Sequence, residues 1–235
     1  MMADGLDTLA ALQKAACFAQ VEAPLMAELA QQAQIVVYQK GEVVTRMGQH
    51  FDRLGVIAHG QIELSVTNRA GKRHVLSVMQ SGQIYGLIPM LDGKPLYYGA
   101  TAISQCTLVT LDRDVMVAAM QRSSALMMGV FGVMCARSRD TFAAMADQHL
   151  LSPPARLARY LVQLASKYGP AGHAADGVLT VDFSQGALSD MLGMSRQSLN
   201  SAIQRLEALG LIKKQYSKIT LVSIDALQSL VSGEL

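Results

Sequence analysis

The chain has no tryptophan, only three cysteines and few charged residues, 16% of its 235, while 51% are hydrophobic. Each shortage excludes something. Low charge beside abundant apolar surface excludes a disordered chain, because burial can offset the entropy lost on folding. The length suffices for a sizeable core and for two domains. Cys17, Cys106 and Cys135 are odd in number and far apart, which suits neither a disulfide framework nor a CxxC metal site, so buried thiols are expected. The longest apolar run, 125–136, falls short of the roughly 20 residues that a membrane-crossing helix needs. No membrane association is expected. Asp4 and Asp7 precede any apolar stretch and Lys14 interrupts the next, so the basic-then-apolar order of a secretory signal is missing and a cytoplasmic protein is expected. Spaced carboxylate pairs, nucleophile motifs and phosphate-binding loops are missing too, which argues against an enzyme.

What is present is unevenly spread. The net charge of +2 divides into 12 Lys/Arg against 12 Asp/Glu in residues 1–150 and 8 against 6 in residues 151–235. Between Ser195 and Lys218, Arg196, Arg205, Lys213, Lys214 and Lys218 face only Glu207, a local +4. A basic segment of this kind can follow phosphates through counterion release.

The hydrophobic period changes along the chain. Leu6, Leu9, Leu12 and Ala16 have helical spacing and Pro24 opens a second helical piece, so two short helices are expected at the start. From Ile35 to Leu111 short β-rich runs, such as 35–38, 54–57, 62–66 and 74–78, alternate with glycine-containing turns. That pattern predicts a small antiparallel roll or sandwich. A proline-free stretch, 124–151, predicts one long helix. In it Met127, Val130, Met134, Arg137, Thr141, Ala144 and Gln148 alternate 3 and 4 apart, the spacing of a two-stranded coiled-coil seam, and predict a homodimer. Ser152-Pro153-Pro154 then reads as a break that caps the next helix, 155–168. A loop at 170–177 and a strand at 178–183 follow. The expected domains are an N-terminal roll with its leading helices (1–123), a dimerisation helix (124–151) and a C-terminal domain (152–235).

From Ser184 two helical pieces flank Gly193-Met194-Ser195. Ser184 and Ser195 are N-cap residues. Ala187, Leu188, Met191 and Leu192 form one buried face, and Leu199, Ala202, Ile203 and Leu206 the other. This leaves Arg196, Gln197, Asn200 and Ser201 outward at the start of the second helix, where a helix-turn-helix presents its readers to the major groove. Arg can fork onto guanine, and Gln or Asn onto adenine. Leu211–Lys214 and Ile219–Val222 predict a hairpin around Gln215 to Lys218, a wing whose Lys213, Lys214 and Lys218 can meet phosphate. With Ser184 and Gln185 at the first helix, these residues make up the candidate DNA surface.

From about Ile35 to Val222 the sequence resembles the Crp/Fnr transcription regulators, typified by the cyclic-AMP receptor protein. The matching residues are the ladder Gly48, Gly60, Gly71, Gly82 and Gly86, the Leu91-Asp92-Gly93 turn, the long helix, and Gly193-Met194-Ser195-Arg196-Gln197-Ser198 with Leu206-Glu207. The resemblance implies an α+β protein with an effector roll, a dimerising helix and a winged helix-turn-helix that binds double-stranded promoter DNA, with RNA polymerase as a further partner. By position Arg196 and Gln197 are the principal base readers, and Ser201 stands where some members have a second arginine.

The effector residues depart from the family pattern. Members that bind cyclic AMP carry a Gly-Glu pair for the ribose and an Arg-Ser pair for the phosphate. Here the corresponding pairs are Gly86-Leu87 and Tyr98-Gly99, so cyclic AMP is not expected as the effector. Thr141 stands at the adenine-reading position, followed by Phe142. Gly86, Leu87, Ile88, Tyr97, Tyr98, Gly99, Thr141 and Phe142 predict a pocket suited to a small apolar or aromatic effector; the same residues could instead simply fill the roll. Three cysteines cannot supply an iron–sulfur cluster's four thiolates, and 85–88 offers no haem ligand, so no cofactor is expected. The alternative to a DNA-binding regulator is a ligand sensor that acts through a protein partner.

Overall fold

The computed structural model describes residues 7–71, 73–168, 180–182, 184–216 and 218–233. They belong to two units, 1–139 and 140–235.

The first unit opens with α1 (Thr8–Gln13), a 3-10 turn and α2 (Ala23–Gln32). Asp7 caps α1 by accepting from the backbone N–H groups of Leu9 and Ala10 at 2.9 and 3.2 Å. Pro24 sits in the first turn of α2, where its missing N–H costs no helical bond. Eight strands follow: β1 (Gln34–Tyr38), β2 (Val43–Thr45), β3 (Arg53–His59), β4 (Gln61–Thr67), β5 (Arg73–Gln80), β6 (Ile84–Tyr85), β7 (Gly99–Ala102) and β8 (Cys106–Asp112). Short α3 (Leu87–Asp92) separates β6 from β7. The strands form two antiparallel sheets, β1-β8-β3-β6 and β2-β7-β4-β5, the roll that the glycine-punctuated runs predict.

Central strands β3 and β8 are apolar on both faces because each face has a partner. Ile57, Cys106 and Leu108 join Ile62, Tyr85, Tyr98 and Ala102 in one core cluster. Leu54, Val56, Val109 and Leu111 pack instead with Leu12, Phe18 and Leu29 of the leading segment and Met116, Leu126 and Val130. Met116 lies on α4 (Arg113–Arg122), and Leu126 and Val130 on α5 (Ser124–Leu150). At Gly129 an added Cβ would lie 2.3 Å from the Cys17 carbonyl oxygen, so the glycine that weakens the helix locally is what lets it lie against the 3-10 turn.

The second unit holds the end of α5 together with α6 (Pro153–Tyr168), β9 (Thr180–Asp182), α7 (Gln185–Met191), α8 (Arg196–Ala208), β10 (Ile212–Gln215), β11 (Lys218–Leu221) and α9 (Ile224–Ser232). Its core comprises Leu157, Leu161, Leu188, Leu199, Ile203, Leu206, Ile219 and Leu227, among others. The strands make an antiparallel sheet, β10-β11-β9. Ser152 caps α6 by accepting from the Ala155 N–H at 3.4 Å. Across this break Arg156 donates to the carbonyls of Gln148 (3.0 Å), Leu151 (3.3 Å) and Leu192 (3.0 Å), and Arg159 pairs with buried Asp147 at 2.7 Å.

Several expectations change. The units divide at 139/140, within α5, whereas the sequence suggested that 124–151 stands apart; the early turns of α5 pack on the roll and the last turn is bonded to α6. Three of the predicted seam positions are engaged within the chain. Val130 has no exposed surface, Met134 packs on the same core, and Arg137 donates to the Ile84 carbonyl, so these positions serve the roll. Thr141, Ala144 and Gln148 are exposed. On α5 the large apolar side chains left exposed are Met128, Phe131, Phe142, Met145 and, at its end, Leu150. Cys17 and Cys106 are buried thiols, but Cys135 is exposed on that same outward face. The wing turn is tighter than expected, because Gln215 pairs with Lys218. The predicted strand is seen at Thr180–Asp182; the loop 170–177, Val178 and Leu179 at the strand's start, Phe183 at its end, and Leu6 of the first helix lie outside the described residues.

Candidate functional site

Helices α7 and α8 are set by two capping serines and one glycine. Ser184 Oγ accepts from the Ala187 N–H at 3.3 Å, and Ser195 Oγ accepts from the Ser198 N–H at 3.0 Å. Gly193 turns the chain between them with φ +60°, a region that side chains other than glycine enter at a cost. The buried faces close on the unit's core: Leu188 and Leu192 from α7, Leu199, Ala202, Ile203 and Leu206 from α8. Arg196, Gln197 and Ser201 are consequently exposed on the opposite side.

Two of the candidate contact residues, Arg196 and Asn200, lie against α7. A Cβ on Gly186 would lie 3.2 Å from an Arg196 guanidinium nitrogen, so the arginine lies against the first turn of α7 in space that a side chain there would fill. Asn200 is half-buried, and its Oδ1 accepts from the exposed Gln185 amide at 3.3 Å. It faces α7 and does not stand on the fully open face that helical spacing suggested. Gln197, Ser201 and Arg205, one turn apart, line a cavity of about 450 Å³ with Ser198, Ala202, Pro153 and Pro154. Arg205 belongs to the basic segment but not to the candidate contacts of the sequence; its i+4 spacing from Ser201 is the signal that places it on this face.

On the wing Lys213 and Lys218 are exposed and Lys214 is half-buried. The one carboxylate of the segment, Glu207, accepts from the Lys214 backbone N–H at 2.7 Å, so it anchors the wing to α8. Tyr216 at the wing tip is 98% exposed. The expectation for the wing rests on its cations and does not include this residue.

The residues named for the effector pocket occupy different surroundings. Gly86 caps α3 with φ +78°. Leu87 is wholly buried in the core beneath the helices, whereas Tyr98 fills the other core with Tyr85. Ile88 and Tyr97 are exposed, and Gly99 opens β7 half-buried. Thr141 and Phe142 belong to the second unit and are exposed. Tyr98 stacks edge-on against Tyr97 and Tyr85 at centroid distances of 4.8 and 6.2 Å, and the Tyr85 hydroxyl bonds Thr45. Burial pushes the Tyr98 phenol up to about 12, and raises that of Tyr85 further still. The roll also contains a cation that the sequence assigned to the dimer seam: Arg137. Desolvation lowers its pKa, opposed by the neighbouring Tyr98, Cys17 and Tyr97. A separate trough of about 870 Å³ is lined by residues including Tyr38, Phe51, Arg53, Asp112 and Arg113, none of them from the expected pocket. Among the described residues no cluster of three or more His, Cys, Asp or Glu could hold a metal.

The roll matches the cyclic nucleotide-binding domain over residues 35–123, and the second unit matches the Crp-like helix-turn-helix domain over 155–230. Together they define a transcription regulator with an effector-binding domain and a winged helix-turn-helix that binds DNA. The chain belongs to the Crp/Fnr family. It is 28% identical over 212 residues to a CRP-like cAMP-activated global transcriptional regulator of Mycobacterium tuberculosis, covering 90% of this chain and 94% of that one. In fold it is similar to FixK2 from Bradyrhizobium japonicum, with TM-score 0.72 at 17% identity over 84% of this chain and 96% of that one. It is similar also to the c-di-GMP responsive global regulator CLP of Xanthomonas campestris, with TM-score 0.69 at 17% identity over 86% and 100%. Among the described residues no single helix is long and apolar enough to cross a membrane.

Proposed function

We propose that this protein is a cytoplasmic homodimer that reads specific double-stranded promoter sequences through Arg196, Gln197 and Ser201, with Asn200 and Gln185 fixing the approach of α8. Ser184 and Ser195 set the helices, and Lys213, Lys214 and Lys218 supply sequence-independent phosphate attraction. One observation carries the reading: a serine-capped α8 whose core face is buried and whose exposed face begins with Arg196 and Gln197, beside a basic wing. RNA polymerase is the further partner that a promoter-bound regulator of this family implies.

The dimer seam in this proposal is the stripe Met128, Phe131, Cys135, Ser138, Phe142, Met145 and His149. Its spacing alternates 3 and 4, and Met128, Phe131, Phe142 and Met145 are each more than half exposed in the single chain. A stripe of that period is covered by a second copy of itself.

The effector in this proposal is not cyclic AMP. Leu87 and Tyr98 occupy the positions of the ribose-binding carboxylate and the phosphate-binding arginine, and both are built into cores. A small apolar or aromatic molecule that opens the Tyr97–Tyr98 edge fits the lining better. The function requires no haem or iron–sulfur cluster, and no chemical step.

The reading is tested by selecting duplexes from a random library with the purified protein and titrating them in a gel shift. Wild type retains a defined sequence and Arg196→Ala loses that preference. If wild type retains no duplex, the chain acts through a protein partner instead.

A further inference from the structure

Tyr216 is placed where the fold gains nothing from it. The strands β10 and β11 pair Gln215 with Lys218, which leaves a two-residue connection whose first residue is Tyr216. Both common two-residue hairpin turns need a positive φ at that first position and therefore favour Gly, Asn or Asp. Tyr216 adopts φ +52° and is the only non-glycine residue with positive φ among the described residues. A bulky side chain in the left-handed region is a genuine outlier, and such strain persists where something outside local preference selects it. Burial does not explain the choice, because the residue is 98% exposed.

Its surroundings say what it would meet. The ring stands at the tip of a hairpin whose exposed cations are Lys213 and Lys218, and Glu207 fixes that hairpin to α8 through the Lys214 N–H. The tip is thus tied to the helix that carries Arg196 and Gln197. An aromatic ring flanked by phosphate-seeking ammonium groups has the chemistry of a sugar-phosphate contact: lysines on phosphate oxygens, the ring against the apolar face of a deoxyribose. We propose that Tyr216 is a DNA-contacting residue that packs on the deoxyribose backbone beside the site read by α8, and that its strained turn is retained for this contact. The proposal rests on the DNA-reading function above.

The turn and the contact pull in opposite directions, which makes a clean test. Tyr216→Gly, Tyr216→Ala, Tyr216→Phe and Arg196→Ala are compared with wild type on the full-length protein, with melting temperature and affinity measured together. Probes are a duplex selected from a random library by wild type and a scrambled duplex of the same length. Tyr216→Gly relieves the backbone and is expected to raise Tm by about 2 to 4 °C, while weakening binding to both duplexes by about three- to tenfold. Tyr216→Ala weakens binding similarly, and Tyr216→Phe, which keeps the ring, stays within about twofold of wild type. Arg196→Ala instead erases the preference for the selected duplex. If Tyr216→Gly and Tyr216→Ala fold and bind as tightly as wild type, the proposal is overturned while the DNA-reading function stands. If wild type prefers no duplex at all, that function fails, and the role of Tyr216 fails with it.

Discussion

Single side chains decide most of what can be checked first. Arg196 is an exposed guanidinium held against α7, and replacing it by alanine should cost about 1–3 kcal/mol of discrimination at one base pair, measured by competition between matched and mismatched duplexes. Lys213→Ala and Lys218→Ala should weaken all duplexes alike, each lowering the log–log salt slope by about one. The ion pair of Arg159 with Asp147 is of a different kind, since Asp147 is 6% exposed. Asp147→Ala strands the arginine and should cost about 3–5 kcal/mol in chemical denaturation. Titration offers a fourth check. Burial pushes the Cys17 thiol up to about 12 and the Cys106 thiol to about 11 from 9.0, and raises the Tyr85 and Tyr98 phenols. These folded pKa values lie above the unfolded ones. Their contribution is therefore complete below about pH 9 and is lost as the unfolded state releases protons more readily at higher pH. The first unit should lose stability between about pH 9 and 12, followed by circular dichroism, and should show no matching loss from these groups toward acid.

At the scale of elements, what was legible in the sequence is what local chemistry determines. Ser184, Gly193 and Ser195 specify the helix-turn-helix because caps and a left-handed turn act within a few residues, and the structure has each where the spacing puts it. The glycine turns of the roll were legible for the same reason. Tertiary competition was not. On α5 two neighbouring stripes both alternate 3 and 4, and only the packing of Val130 and Met134 on the roll shows that one of them is partly occupied within the chain. The surroundings of the candidate effector residues were not legible either: Leu87 and Tyr98 stand at pocket-lining positions in sequence, yet they pack into different cores. The seam itself is open to a direct check. In a parallel helix pair, Cys135 faces the partner's Cys135, so a mild disulfide-forming oxidant should give a covalent dimer on a non-reducing gel, absent in Cys135→Ser. Phe142→Asp should shift native mass toward the monomer.

For the molecule as a whole, the small net charge is unevenly placed: a balanced roll and long helix, and a basic helix and wing. The same division separates two kinds of ligand. On the effector side, cyclic AMP at micromolar concentration should leave Tm nearly unchanged, because a ligand that does not bind the folded state cannot stabilise it; a saturable rise of several degrees would contradict the reading of Leu87 and Tyr98. On the DNA side lies the central claim, that the chain reads sequence with α8 while its cations bind backbone. The most direct measurement is the affinity of the intact protein for its selected duplex and for a scrambled one across a salt series. The account predicts a steep fall of both affinities with salt and a preference of at least about a thousandfold for the selected duplex at physiological salt. Equal affinity for the two duplexes, or binding indifferent to salt, would contradict it.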